Sequence, residues 1–216
     1  MCSTRKITYR RRLPHIQPPG EIFAVTFRLA GSLPDHVVGE LMEWRDQVKA
    51  EAQKAPSQTE RRKLLSQLGL KYWGHFDEVL NTALDGPMWL RRSEIAWIVA
   101  EAIHYRDTRS YSLYAFTIMP NHIHMLAAVE RSNTSLNEIL QSLKAFTARK
   151  CNKVLTREGP FWQHESYDHV IRAGPELGRM VRYIINNPVA AGLCKNWEDW
   201  AWTYVKDGML EMSPGW

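Results

Sequence analysis

Apolar and polar positions set out an order of elements before any single residue is considered. Residues 21–29 (EIFAVTFRL) are β-branched and aromatic in partial alternation, bounded by Pro19-Gly20 before and by Gly31 and Pro34 after, which predicts a first strand. Between residues 93 and 105 the period lengthens. Ile95, Ile98, Val99, Ala102 and Ile103 recur at i, i+3, i+4, the face of a helix lying on a sheet, with Ser93 as its N-cap. Residues 110–129 then carry no formal charge over 20 positions. That is the length of a membrane span, yet Pro120, Asn121, His122 and His124 sit in the middle of it. Two buried strands, 112–119 and 122–129, joined by a tight Pro120-Asn121 turn, account for the stretch.

Ser135 and Glu138 have capping-box spacing and open a second helix, with Leu136, Ile139, Leu140, Leu143 and Phe146 on its apolar stripe and Gly159-Pro160 beyond its end. Residues 167–172 (YDHVIR) read as a short fourth strand. Pro175 starts a third helix, expected to stop near Asn187 because Pro188 disfavours helical geometry in the residue before it. Strand, helix, hairpin, helix, strand, helix is the order of a split βαβ. The expected fold is therefore an α+β, ferredoxin-like sandwich whose antiparallel sheet has one face covered by helices. Residues of about 33–89 interrupt this order with helix-favouring runs such as HVVGELMEWRDQVKAEAQKA and are read as a helical insertion. Trp73 and Trp89, among apolar neighbours, are expected to be packing anchors.

Length and composition then narrow the class. The 216 residues, 44% hydrophobic and 11% aromatic, suffice for one domain with a sizeable core and exclude disordered and collagen-like classes. Three separated cysteines without a CxxC pair indicate neither a disulfide framework nor a structural zinc site, and no signal peptide is visible, so a cytoplasmic location without a membrane partner is expected. The formal charge of +5 is concentrated: residues 1–14 hold Arg5, Lys6, Arg10, Arg11 and Arg12 and no acid. A second basic tract comprises Lys144, Arg149, Lys150, Lys153 and Arg157, with 149, 153 and 157 at helical spacing. Two such tracts suit a phosphate backbone, although a solvated helix face and a polar tail would look the same.

The candidate chemistry lies in the second hairpin strand and the third helix. With a period of two, His122 and His124 project to one sheet face, where two imidazoles can chelate one divalent cation and leave room for a third ligand and a substrate oxygen. Two histidines satisfied by ordinary hydrogen bonds would give the same spacing. Arg179, Tyr183 and Asn187 recur at i, i+4, i+8 as a polar stripe, with Arg182 next to the tyrosine. Tyr183 is either a half-buried packing residue or a nucleophile, and as a nucleophile its phenol needs a nearby cation to favour the phenolate.

Together these segments resemble the single-tyrosine HUH transposases of small insertion sequences, and within them the REP-associated tyrosine transposases. MPNHIHML at 119–126 and YIINNPVAAGL at 183–193 carry the resemblance. TFRLAG at 26–31, SLKAFTARK at 142–150, FWQHESYDHVIR at 161–172 and WEDWAWTYV at 197–205 extend it over most of the chain except the insertion. The resemblance implies that His122 and His124 bind Mg²⁺ or Mn²⁺ with Asn187 as third ligand, Asn186 being an alternative, and that Tyr183 is the nucleophile. It further implies cleavage and rejoining of single-stranded, hairpin-bearing DNA of REP type through a 5′-phosphotyrosine. Arg5, Arg10, Arg11, Arg12, Lys144, Arg149, Lys150, Lys153, Arg179 and Arg182 are the candidate DNA contacts. A homodimer is an open option, as is the insertion's role in DNA contact or dimerisation. A noncatalytic hairpin-binding protein on this fold and a metal-dependent nuclease using water are the competing readings.

Overall fold

The computed structural model describes residues 21–83, 85–129, 134–171 and 174–211. Its centre is a five-stranded antiparallel sheet in the order β4-β1-β3-β2-β5, made of β1 (Ile22–Arg28), β2 (Ser112–Ile118), β3 (His122–Ala128), β4 (Tyr167–Ile171) and β5 (Thr203–Val205). The first four strands have the expected split βαβ order. β5 is an addition on the β2 edge, three residues long and too short to show a period in the sequence.

Alternation along the strands decides the two faces. Phe23, Val25 and Phe27 of β1 and Ile123, Met125 and Ala127 of β3 join the main core with α3 (Ser93–Arg106) and α4 (Leu136–Val154). The Ser135–Glu138 capping box forms as expected, with the Ser135 hydroxyl accepting from the Glu138 N–H and the Glu138 carboxylate accepting from the Ser135 N–H. Arg157 lies past the end of α4, so its helical spacing with Arg149 and Lys153 does not become a shared face.

The second sheet face is covered too, which corrects the expectation of a sheet clothed on one side. Ala24, Ala115 and Leu126 pack there against Leu177, Met180, Val181, Ile184 and Ile185 of α5 (Pro175–Ala190). α5 also runs past Pro188, three residues beyond the expected stop. Pro188 removes the N–H that would reach the Ile184 carbonyl, but the helix continues for less than one further turn, and the Ala191 N–H reaches the Asn187 carbonyl.

The insertion is a hairpin of α1 (Asp35–Gln53) and α2 (Gln58–Thr82). Leu33, Leu41, Tyr72 and Leu80 form its own small core, which extends to Tyr167 of β4. Trp73 of α2 is buried against the sheet, while Trp89 stacks on Phe161 at 5.4 Å with the Arg157 guanidinium 4.1 Å above its ring. Both therefore act as packing anchors. No helix among the described residues is long and apolar enough to cross a membrane.

The two ends of the insertion touch at Gly86. A Cβ there would lie 2.8 Å from Ser32 Cα and 2.9 Å from the Ser32 carbonyl oxygen, both backbone atoms that cannot rotate away. Gly86→Ala is expected to lower stability by about 1–3 kcal/mol through this overlap. Urea unfolding of the two proteins measures it, and equal midpoints and slopes would refute the close approach.

Candidate metal centre and nucleophile

The β1–β3 register sets Arg28 opposite His122 and Thr26 opposite His124, so these four side chains share the face that α5 and α2 cover. Both imidazoles are fully buried. His122 Nε2 lies 3.0 Å from His124 Nε2, and His124 Nδ1 lies 2.9 Å from Thr26 Oγ1.

The tautomer of His122 follows from its neighbours. The Asn121 amide nitrogen donates to the Leu80 carbonyl at 2.9 Å, and a carbonyl can only accept, so the Asn121 amide oxygen is the atom 2.6 Å from His122 Nδ1. Nδ1 must therefore carry the proton, leaving a lone pair on Nε2 directed into the site. His124 is adjustable, because the Thr26 hydroxyl can donate to Nδ1 or accept from it. When it accepts, both Nε2 lone pairs are available to one cation, each imidazole being held from behind by a polar partner.

A third group comes from the insertion. Trp73, Asp77, Leu80 and Asn81 recur at i, i+4, i+7, i+8 on α2, the stripe turned towards the sheet. Asp77 is buried, and its Oδ2 lies 3.5 Å from His124 Nε2. The ligand atoms of Asp77, His122 and His124 all fall within 4.8 Å of one another. The same Oδ2 accepts from the Tyr183 hydroxyl at 2.5 Å and from the Asn187 amide at 3.4 Å. Oδ1 has no hydrogen-bond partner, an orphaned acceptor in a buried place. Two imidazole nitrogens and one carboxylate, with one of its oxygens unsatisfied, fit a divalent cation of the first-row or Mg²⁺ type.

Burial dominates the protonation of the group. It holds both histidines neutral, with His124 down at about 3 and His122 also well below its usual range, further lowered by His124. It pushes the Asp77 carboxyl up to about 8, against the pull of the donors around it, Tyr183 first. The Tyr183 phenol is raised by burial and then by the Asp77 carboxylate, so its proton is tightly held in this arrangement.

Tyr183 itself is 36% exposed, its hydroxyl turned inward and its ring centroid 6.4 Å from that of His124. Asn187 is buried one turn later. Its amide nitrogen faces Asp77, while its oxygen accepts from Asn81 at 3.3 Å. Asn186 donates instead to the Arg182 carbonyl at 2.9 Å. Of the candidate basic residues, Arg179 and Arg182 share α5 with Tyr183. Arg149, Lys150 and Lys153 are exposed on α4, across the sheet from the imidazoles. Lys144 is buried rather than displayed on that surface, and Arg5, Arg10, Arg11 and Arg12 lie outside the described residues. Asp77 had been missed altogether.

The raised Asp77 carboxyl has a defined sign in the pH dependence of stability. Below its ordinary value of 3.8 both folded and unfolded chains hold the proton; from there to about 8 only the folded chain does, so rising pH weakens folding over that window. In chelator-containing buffer, Asp77→Asn is expected to gain stability relative to the parent as pH rises from 4 to 8, by on the order of a few kcal/mol. Denaturant midpoints at successive pH values read the difference directly. A difference independent of pH would contradict the buried carboxyl.

Known proteins are similar to part of this chain. Residues 91–187, which span α3, the hairpin with its two histidines, α4, β4 and α5 through Asn187, match the family described as "Transposase IS200 like". A Haemophilus influenzae protein named "Putative REP-associated tyrosine transposase" is 28% identical over 114 residues, covering 48% of this chain. The chain spans 65% of that relative's length. A solved REP-associated tyrosine transposase bound to a REP hairpin aligns over 91% of this chain and 81% of its own, at 16% identity and a TM-score of 0.45. The matched residues 91–187 hold both histidines and the tyrosine.

Proposed function

We propose that this protein is a metal-dependent DNA strand transferase that cleaves and rejoins single-stranded, hairpin-bearing DNA of REP type through a tyrosine adduct, working in the cytoplasm. One observation carries the reading: the Tyr183 hydroxyl meets the same carboxylate that clusters with His122 and His124. The similarity to a REP-associated relative supports the substrate class.

In this reading His122, His124 and Asp77 hold Mg²⁺ or Mn²⁺. Asn187, the ligand implied by the family resemblance, braces Asp77 through its amide nitrogen and stands one turn from Tyr183. The cation supplies polarisation of the scissile phosphate and a positive field at the developing phenolate. The Tyr183 oxygen attacks phosphorus, forming a Tyr–O–P bond while the P–O3′ bond breaks. The phenolic proton is released, and the departing oxygen becomes a free 3′-hydroxyl after protonation. The phosphodiester energy is retained in the phosphotyrosine, so attack by another 3′-hydroxyl reverses the chemistry without ATP. Because the imidazoles and Asp77 are sealed from solvent, a phosphodiester reaches them only if the helices covering that face shift.

With Mn²⁺ and a labelled, hairpin-bearing single strand, the parent protein is expected to form an adduct that survives denaturing electrophoresis, and Tyr183→Phe to form none. Adduct of equal yield from the phenylalanine variant would end this reading. Cleavage without adduct in both proteins would favour water as nucleophile.

Cation binding offers an independent check. Asp77 must lose its proton to bind, so Mn²⁺ affinity is expected to rise with pH up to about 8. Asn121→Ala, which frees His122 to adopt the wrong tautomer, should weaken it roughly 10- to 100-fold. Titration calorimetry at pH 6, 7 and 8 gives both quantities, and an affinity indifferent to pH and to Asn121 would remove the three-residue centre.

A further inference from the structure

The outer edge of β1 is irregular next to the histidine pair. Tyr167 pairs with Thr26 and Trp162 with Leu29, so five steps of chain face three. Gln163 N–H reaches the Arg28 carbonyl at 2.9 Å, and residues 164–166 bulge away from the strand. One cationic side chain reaches this bulge, and a second belongs to the residue whose carbonyl holds Gln163 at its start. Lys144 comes from α4, its Nζ donating to the His164 carbonyl at 2.9 Å and to Ser166 Oγ at 3.1 Å. Arg28 lies on the Thr26 face of β1, opposite His122, and donates from Nη1 to Ser32 Oγ at 3.1 Å. They are only 8% and 6% exposed.

Buried cations in folded proteins are normally paired with carboxylates. Among the described residues no carboxylate makes an ion pair with either of these. Asp35 and Glu165 act on Arg28, and Glu165 on Lys144, but both acids are exposed and beyond ion-pairing distance. Burial lowers Arg28 and brings Lys144 down to about 8, and the charge of Arg28 lowers Lys144 further. Two desolvated like charges brought together without an anion oppose folding, and methionine or leucine would fill the same space at less cost. Their chemistry, a planar fork of donors beside an ammonium with a serine hydroxyl, is that of a phosphate site.

We propose that Arg28 and Lys144, with the Ser166 hydroxyl, form a buried pocket for one non-scissile phosphate of the bound strand, fixing the strand's register against the histidine pair. The identity of the anion rests on the strand-transfer reading; the pocket does not.

A set of hairpin-bearing single strands, each with one methylphosphonate near the cleaved linkage, tests it on the full-length protein with Mn²⁺. In the parent, a neutral group at one particular linkage is expected to weaken binding roughly tenfold. In Lys144→Met and Arg28→Gln the unmodified strand should bind roughly tenfold more weakly, and the same methylphosphonate should cost nothing further. Circular dichroism confirms folding, and either variant suffices if the other does not fold. A methylphosphonate penalty as large in the variants as in the parent overturns the proposal. In a second arm, millimolar inorganic phosphate should raise the melting temperature of the parent and not of the variants. That result in a protein that neither binds nor cleaves DNA would retain the pocket and overturn the strand-transfer reading.

Discussion

The placement of one carboxyl group inside the fold governs the rest. Asp77 is held between α2 and the sheet, where Tyr183, Asn187 and His124 converge on a single oxygen while the other has no partner. An ionised carboxylate would be expensive there, and the group responds by keeping its proton to about pH 8. A cation among Asp77 and the two imidazoles would reverse that balance: it would stabilise the carboxylate and offset the burial that holds the Tyr183 phenol neutral. The proposed nucleophile and the proposed ligand set are therefore linked by one hydrogen bond, so that what occupies the centre would govern how readily the phenol loses its proton.

The insertion consequently does more than decorate the sheet. It supplies the Asp77 carboxylate and, through the Leu80 carbonyl, fixes the Asn121 amide that sets the His122 tautomer. Asn81 adds a hydrogen bond to Asn187. These contacts come from a single stripe of α2, so its rotation or withdrawal would disturb ligand, tautomer and nucleophile together. The Gly86–Ser32 approach anchors the base of the hairpin, leaving the helices as a unit joined at one end.

The sheet and its helices were legible in the sequence because each follows from a local period of 2 or 3.6, and the α4 capping box from the Ser135–Glu138 spacing, whereas the sharing of one site by the histidine pair and Tyr183 came only from the family resemblance. Asp77 was not. It sits in a long polar helix without a motif, and its only signal is its place one turn after Trp73 and one turn before Asn81, on the stripe that proves buried. The burial of Lys144 is hard to see in the sequence for a related reason. Its spacing from Leu136 and Leu140, at i+8 and i+4, put it on the apolar stripe of α4, but charge outweighed periodicity in the reading. The cover on the second sheet face was hidden because β1 and β3, buried on both sides, do not alternate cleanly between apolar and polar.

Charge accounting ties the two unusual features together. Near His122 the fold holds one carboxyl that prefers to be neutral, the buried Arg28 on the same sheet face and the buried Lys144 reaching the β1 edge from α4, neither cation with an ion pair among the described residues, so positive charge is in excess there. Adding a divalent cation at Asp77 and the histidines increases that excess, which by itself would weaken cation binding. A strand carrying phosphates compensates both centres at once. The cation and the strand should therefore each raise the other's affinity, and by linkage to the same degree. In the proposed reaction such a centre would favour occupation by metal and nucleic acid together over either alone, and the Tyr183 phenol would be activated when the phosphate it attacks is present.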